Sequence, residues 1–178
     1  LKIQGIIRKK GMEVGEILRL AQMVLERTLF FYGNREEWQG REGVMFCVGE
    51  GEGGFPVVSA VLGSVGAGKI EKYNAFAPEK SSRLAAHAGD LSSFQSRDPD
   101  KDQWGGAVRS RRAGSRIFSC SGAPELGDEA MMLIVALAAG EMTPADAEEI
   151  VQLSRNPYFP ELVRMPVIQM KLAAANAL

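Results

Sequence analysis

The sequence predicts an α+β fold: an antiparallel sheet of hairpins flanked by helices. Three observations carry this. Short runs rich in Val and Phe come in adjacent pairs joined by turn-forming residues, and hairpins imply antiparallel pairing. Apolar residues at three- and four-residue steps mark helices before, between and after those pairs. With 46% hydrophobic and 24% charged residues in 178 positions, the chain can bury one proper core. We expect a single domain, with residues 1–12 and 166–178 as peripheral tails.

The first helix is expected over 13–31, where Val14, Ile17, Leu18, Ala21, Val24, Leu25 and Leu29 form one stripe. Glu13 and Glu16 suit its first turn, and Gly33 its end. Runs 44–48 and 55–62 are too short for stable helices and read as strands, joined by the glycine-dense stretch from Gly49 to Gly54. Pro56 lacks an amide donor, which places the second strand's start or a sheet edge there. Helices follow over 69–76 and 78–88, the second opening on Pro78 and stopping at Gly89. The polar connection 90–104 is long enough that function or mobility is expected of it. Strands 106–111 and 115–121 turn at Ala113 and Gly114. Helix 128–139 ends at Gly140, and another runs from Thr143 to Ser154, with Pro144 at its first position and Asp146 completing a near capping box.

Charge and cysteine content narrow the function classes. Lys and Arg total 21 against 22 Asp and Glu, a net charge of -1. Nucleic-acid binders carry a basic excess, and anionic membranes attract one, so neither partner is expected. Cys47 and Cys120 lack any Cys/His cluster, and a zinc site needs about four ligands. Both read as buried, reduced thiols of a cytoplasmic protein. The longest apolar stretch, 131–140, is half of a membrane span, and no signal peptide pattern opens the chain.

One short motif points to nucleotides. Gly63, Gly68 and Lys69 match a phosphate-binding GxxxxGK loop after a strand. Ile70 stands where that loop needs a hydroxyl for Mg²⁺, and no later strand ends in a metal-holding Asp. A flexible glycine loop with a surface lysine accounts for the same residues.

A second constellation carries more information. A strand ends in Ser121-Gly122, a short loop follows, and Asp128-Glu129 open an apolar helix. Gly105-Gly106 precede the hydrophobic strand before it, and Lys80 lies on the preceding helix. In order, spacing and element type, residues 69–160 resemble the GlcG/HbpS-like (haem-degrading-type) family. Its members show a helix with a Lys, a GG-hydrophobic strand, a strand ending in a Ser-Gly turn, and an Asp-Glu helix start. The resemblance implies a profilin-like antiparallel sheet, a homo-oligomer, and Lys80, Gly105, Gly106, Ser121, Gly122, Asp128 and Glu129 as ligand-binding residues. Haem is the cofactor that it implies. The chain departs from the family pattern through Gly43 and in the glycine-rich hairpin loop.

Read from the residues alone, Asp128 caps its helix by accepting from free amides, and Gly122 adopts a conformation closed to other residues. A haem iron needs an axial ligand, usually His, Cys, Met or Tyr; the single histidine is His87, among alanines near a helix end. Cys120 could act as a nucleophile only with His87 beside it in space. Arg109, Arg111, Arg112 and Arg116 surround a turn, either as a solvated tip that resists edge pairing or as a carboxylate or phosphate contact. The apolar residues of 55–62 and Val167, Ile168, Met170 and Leu172 exceed what one core need absorb, so a self-association surface is expected. Two functions from different classes stand. One is a binding or accessory protein for a small anionic or tetrapyrrole-like ligand; the other is a nucleotide-binding enzyme using the loop from Gly63 to Lys69.

Overall fold

The structure is a computed structural model and describes residues 12–50, 53–111 and 116–177. Gly51, Glu52, Arg112 and the expected turn at Ala113 and Gly114 lie outside the described residues. In chain order the elements are α1 (Val14–Tyr32), β1 (Gly43–Glu50), β2 (Phe55–Gly63), α2 (Ala67–Ala86), β3 (Ala107–Arg109), β4 (Arg116–Ser121), α3 (Glu125–Ala138), α4 (Pro144–Ser154), α5 (Phe159–Leu162) and α6 (Pro166–Ala177). The fold is α+β, as expected, with four antiparallel strands in the order β2-β1-β4-β3.

Period-two alternation divides β1 between two cores. Val44, Phe46 and Val48 join Phe118, Cys120 and Val108 in the main core, with α1 and α3. Met45 and Cys47 face the other way, onto Tyr73 and Ala77 of α2, and Ala107 and Ile117 meet Leu84 there. Because helices cover both faces, the central strand reads as an unbroken apolar run instead of an alternating one.

Several boundaries differ from expectation. Pro78 does not open a helix; it sits inside α2, which continues across it. Proline removes one hydrogen bond, at the carbonyl four residues back. That residue, Asn74, is exposed, where water can serve it, while buried Ala77 and Leu84 anchor the helix on either side. Tertiary packing therefore carries the helix across its break. α3 begins three residues before the expected start, at Glu125, so Asp128 lies within the helix and not at its cap. The Thr143 capping box is formed: Thr143 Oγ1 accepts from the Asp146 amide at 3.2 Å, and Asp146 Oδ2 from the Thr143 amide at 3.3 Å. The C-terminal segment expected to be peripheral is α6, whose Ile168 is buried in the main core.

An aromatic cluster closes the base of α1. Trp38 stacks on Tyr32 with centroids 5.4 Å apart and meets Tyr158 edge-on at 5.5 Å. Its ring occupies the space a side chain at position 127 would need, since a Cβ on Gly127 would lie 2.5 Å from Trp38. Gly127→Ala should therefore overpack this junction and cost about 1–3 kcal/mol. Thermal melts followed by tryptophan fluorescence check this; an unchanged midpoint would show that the Trp38 loop yields freely.

Candidate functional site

Four of the residues singled out in the sequence meet beneath β3 and β4. Lys80, 2% exposed, points from α2 into the sheet, where its Nζ donates to the Cys120 carbonyl at 2.8 Å and to Asp128 Oδ2 at 3.0 Å. Asp128, also 2% exposed, accepts from the Ala123 amide at 3.0 Å and from the Cys120 thiol at 3.3 Å, both on Oδ1. It is thus one half of a buried ion pair, and the one free amide that it takes lies before its helix. Burial pushes the Asp128 carboxyl up, against the pull of Lys80, the amide and the thiol. Burial likewise holds Cys120 well above the ordinary thiol range, with the Asp128 carboxylate adding to it. Cys120 is a buried S–H donor. Gly106, at φ +114, roofs the pair: a Cβ there would lie 2.7 Å from Asp128 Cβ and 2.9 Å from Lys80 Nζ.

The remaining residues of that set have separate settings. Gly122 has φ +151, and its carbonyl accepts from Arg41 Nη1 at 3.0 Å. Ser121 is buried opposite Met45 in the β1–β4 ladder. The Gly105 amide donates to Glu125 Oε1 at 2.6 Å. Glu129, next to Asp128 but turned about 100° around the helix, is fully buried among Ser92, Ser154 and Asn156. All seven are buried.

What the sequence reading missed is Arg83. One turn beyond Lys80 minus a residue, it is 8% exposed and reaches the long connection between α2 and β3. Nη1 donates to the carbonyls of Ser93 at 2.8 Å and Ser96 at 2.9 Å and to Ser96 Oγ at 2.8 Å; Nη2 donates to the Trp104 carbonyl. Its Nε pairs with Glu79 at 2.7 Å. The connection is further held by strand-like bonds, from the Ser93 amide to Ala107 O and from the Arg109 amide to Leu91 O, both at 2.9 Å. The only sequence signal was an i, i+4 Glu–Arg pair, which usually marks a solvated helix face.

Between α2 and this connection lies an open cleft of about 630 Å³, lined by Glu79, Ser82, Arg83, Ala86 and His87 on the helix and Ser96, Arg97, Asp98 and Gln103 opposite. Volumes of this order suit small ligands. Arg97 stacks over Phe94, with its guanidinium carbon 5.2 Å from the ring centroid, and its Nε pairs with Glu125 at 3.0 Å. Its two terminal nitrogens have no hydrogen-bond partner among the described residues. His87 Nδ1 lies 2.8 Å from the Arg83 carbonyl. A carbonyl only accepts, so Nδ1 carries a proton, and Nε2 is the ring nitrogen left for a ligand. Asp98 is tied to Lys101 at 2.7 Å, which holds its carboxyl below the usual range.

This cleft does not fit haem. Ala86 is the lone apolar residue of its lining, whereas a macrocycle with broad apolar faces needs apolar walls. His87 and Cys120 keep separate partners, the Arg83 carbonyl and Asp128. The arginines around β3 and β4 are engaged within the chain: Arg109 caps the end of α2 at the carbonyls of Leu84, His87 and Ala88, Arg111 pairs with Asp146 and Glu149, and Arg116 with Glu50 and Glu141. In the glycine loop, Lys69 Nζ donates to the Gly40 carbonyl at 3.0 Å, and the loop leaves an antiparallel edge strand. Among the described residues, no group of three or more His, Cys, Asp or Glu could hold a metal ion. Compared with family models, curated proteins and solved structures, the chain matches none.

Removing one partner of a buried pair strands the other's charge, at about 3–5 kcal/mol. Asp128→Asn and Asp128→Ala should both lose stability on that scale, because neither neutralises Lys80. The double variant Lys80→Met/Asp128→Leu should recover much of the loss. Denaturant unfolding measures all three, and an Asp128→Asn variant as stable as the parent would reduce Asp128 to a hydrogen-bond acceptor.

Proposed function

We propose that the chain is a small-molecule-binding or accessory protein of the GlcG/HbpS-like type, and that its ligand occupies the cleft between α2 and the connection to β3. The observation that carries this reading is Arg97. Its guanidinium is pre-positioned by an aromatic face and a carboxylate, and its two terminal nitrogens have no partner among the described residues. Such a planar fork suits a carboxylate or phosphate. His87 Nε2 on the opposite wall would accept from a hydroxyl of the same ligand. The open donors of Arg97 favour a small anionic molecule over a tetrapyrrole. Lys80, Gly106 and Asp128 support the family reading as the frame that sets α2 against the sheet.

A cytoplasmic setting belongs to the same proposal, supported by two free, buried cysteines. No helix among the described residues is long and apolar enough to cross a membrane.

Binding is tested by titrating isotope-labelled protein with inorganic phosphate, oxalate and citrate while recording amide shifts. Shifts should map to residues 82–87 and 96–103. Arg97→Ala should weaken binding about tenfold or more, as hydrogen bonds to charged groups contribute ~1.5–3 kcal/mol. Mg-ATP should leave residues 63–69 unshifted, and hemin should not compete. The absence of shifts in the cleft up to about 10 mM of every anion, a level below useful affinity, would reject the site.

Self-association completes the reading. β3 is covered by residues 91–93, whereas among the described residues no strand lies beside the outer edge of β2. Phe55, Val57 and Val61 are 73%, 52% and 42% exposed on it, and no charge interrupts the strand. Edges of this kind template pairing with another chain, and symmetric dimers are the commonest outcome. Light scattering should give about twice 19.3 kDa, falling to the monomer mass in Val57→Lys. A monomeric parent protein would remove this part of the proposal.

A further inference from the structure

β2 is open along only part of its outer edge, and the closed parts decide how another strand can pair with it. An antiparallel ladder sends the amide and carbonyl of every second residue toward its partner strand and those of the others away from it. The Ser64 amide donates toward β1, to the Glu42 carbonyl at 2.9 Å, whereas the Gly63 amide turns outward to Gln22 Oε1 at 3.2 Å. From Gly63 back to Val58 the β1–β2 register runs without a break, so Val61 and Ser59 also turn their backbone groups outward. No strand and no side chain takes those two amides among the described residues.

Beyond Ser59 the edge closes again. The register passes from Val48 opposite Val58 to Gly49 opposite Pro56, which makes Val57 the extra residue of a bulge, where pairing is locally disrupted. Pro56 has no amide to donate. Gln22 thus closes one end of the edge, and the bulge with its proline closes the other. Between them the outward donors and acceptors are those of Ser59 and Val61.

A second copy of the chain can meet this stretch in three antiparallel registers that set outward residues opposite one another. With Val61 on the two-fold axis, Ser59 falls opposite Gly63, whose amide Gln22 already holds. With Ser59 on the axis, Val61 falls opposite the bulged Val57. With Ala60 on the axis, Ser59 faces Val61 of the partner subunit, and Val61 faces the partner's Ser59. Each of these pairs exchanges two hydrogen bonds, so every open donor and acceptor is used. The residues on the axis then form the closer, non-hydrogen-bonded kind of pair, with Cα atoms about 4.5 Å apart. Ala60, the smallest side chain between Val58 and Leu62, stands at that position.

We infer that β2 pairs with β2 of a second copy in this register, with Ala60 on the two-fold axis, and that Gln22 and the Val57 bulge fix where the strands meet. The inference rests on the self-association proposed above and adds its geometry: two four-stranded sheets become one continuous sheet. Val58 then lies across from the partner's Leu62, an apolar cross-strand pair on the side of the main core.

Disulfide formation reads the register, because the native Cys47 and Cys120 are buried. Ala60→Cys should link two subunits under mild oxidation, since its Cα spacing falls within the disulfide range of about 4.4–6.8 Å. Val61→Cys should not link, because a stagger of two residues at about 3.4 Å each carries its Cα atoms beyond about 7 Å. In the parent protein the Ser59 and Val61 amides should exchange more slowly as the dimer forms, about threefold for each tenfold rise in protein concentration. The Gly63 amide, held by Gln22, should not respond. That measurement decides the matter even if Ala60→Cys fails to fold. Linking through Val61→Cys in place of Ala60→Cys overturns the register while the dimer stands. So do Ser59 and Val61 amides that exchange freely where light scattering shows a dimer. A parent protein that is monomeric by light scattering rejects the self-association itself, and the register with it.

Discussion

The ion pair between Lys80 and Asp128 fixes the architecture on which the rest depends. Taking either charge out of water costs several kcal/mol, and the cost is met only where both sit with their remaining hydrogen bonds made. The Cys120 carbonyl, the Ala123 amide and the Cys120 thiol supply those bonds, so α2, β4 and α3 fit together in one arrangement. The roof over the pair must be a residue without a Cβ, in a backbone conformation that L side chains avoid, and Gly106 meets both demands. Once Lys80 is seated, the direction of α2 across the sheet is set, and with it the position of Arg83.

Arg83 then orders a long connection that has almost no regular structure. A loop of this length ordinarily costs considerable chain entropy. Here a buried guanidinium gathers three carbonyls from it, Glu125 takes its Gly105 amide, and Glu129 takes Ser92. Polar side chains on helices thus satisfy backbone groups that would otherwise be orphaned. The cleft is a consequence: the loop is held off the helix by the side chains that tether it.

Asp128 and Glu129 illustrate how neighbouring carboxyls acquire different chemistry. One turns toward an ammonium, the other toward hydroxyls and an amide. Burial raises both, but only Asp128 has a cation to oppose it. Environments that separate two titrating groups in this way set their roles.

The sequence by itself determined the element types and their order, because periodicity and turn chemistry are local. The short Val- and Phe-rich run 44–48 announced a strand, Thr143 with Asp146 announced a capped helix, and Ser121-Gly122 a turn needing glycine. It also brought Lys80, Gly106 and Asp128 into one group, though the role expected for Asp128 was a cap. Only the tertiary structure decided that Pro78 lies within a continuous helix, that Asp128 neutralises a buried lysine, and that Arg83 builds the cleft wall. These outcomes depend on which residues of distant elements meet, and on the desolvation each then suffers. Spacing along the chain encodes neither.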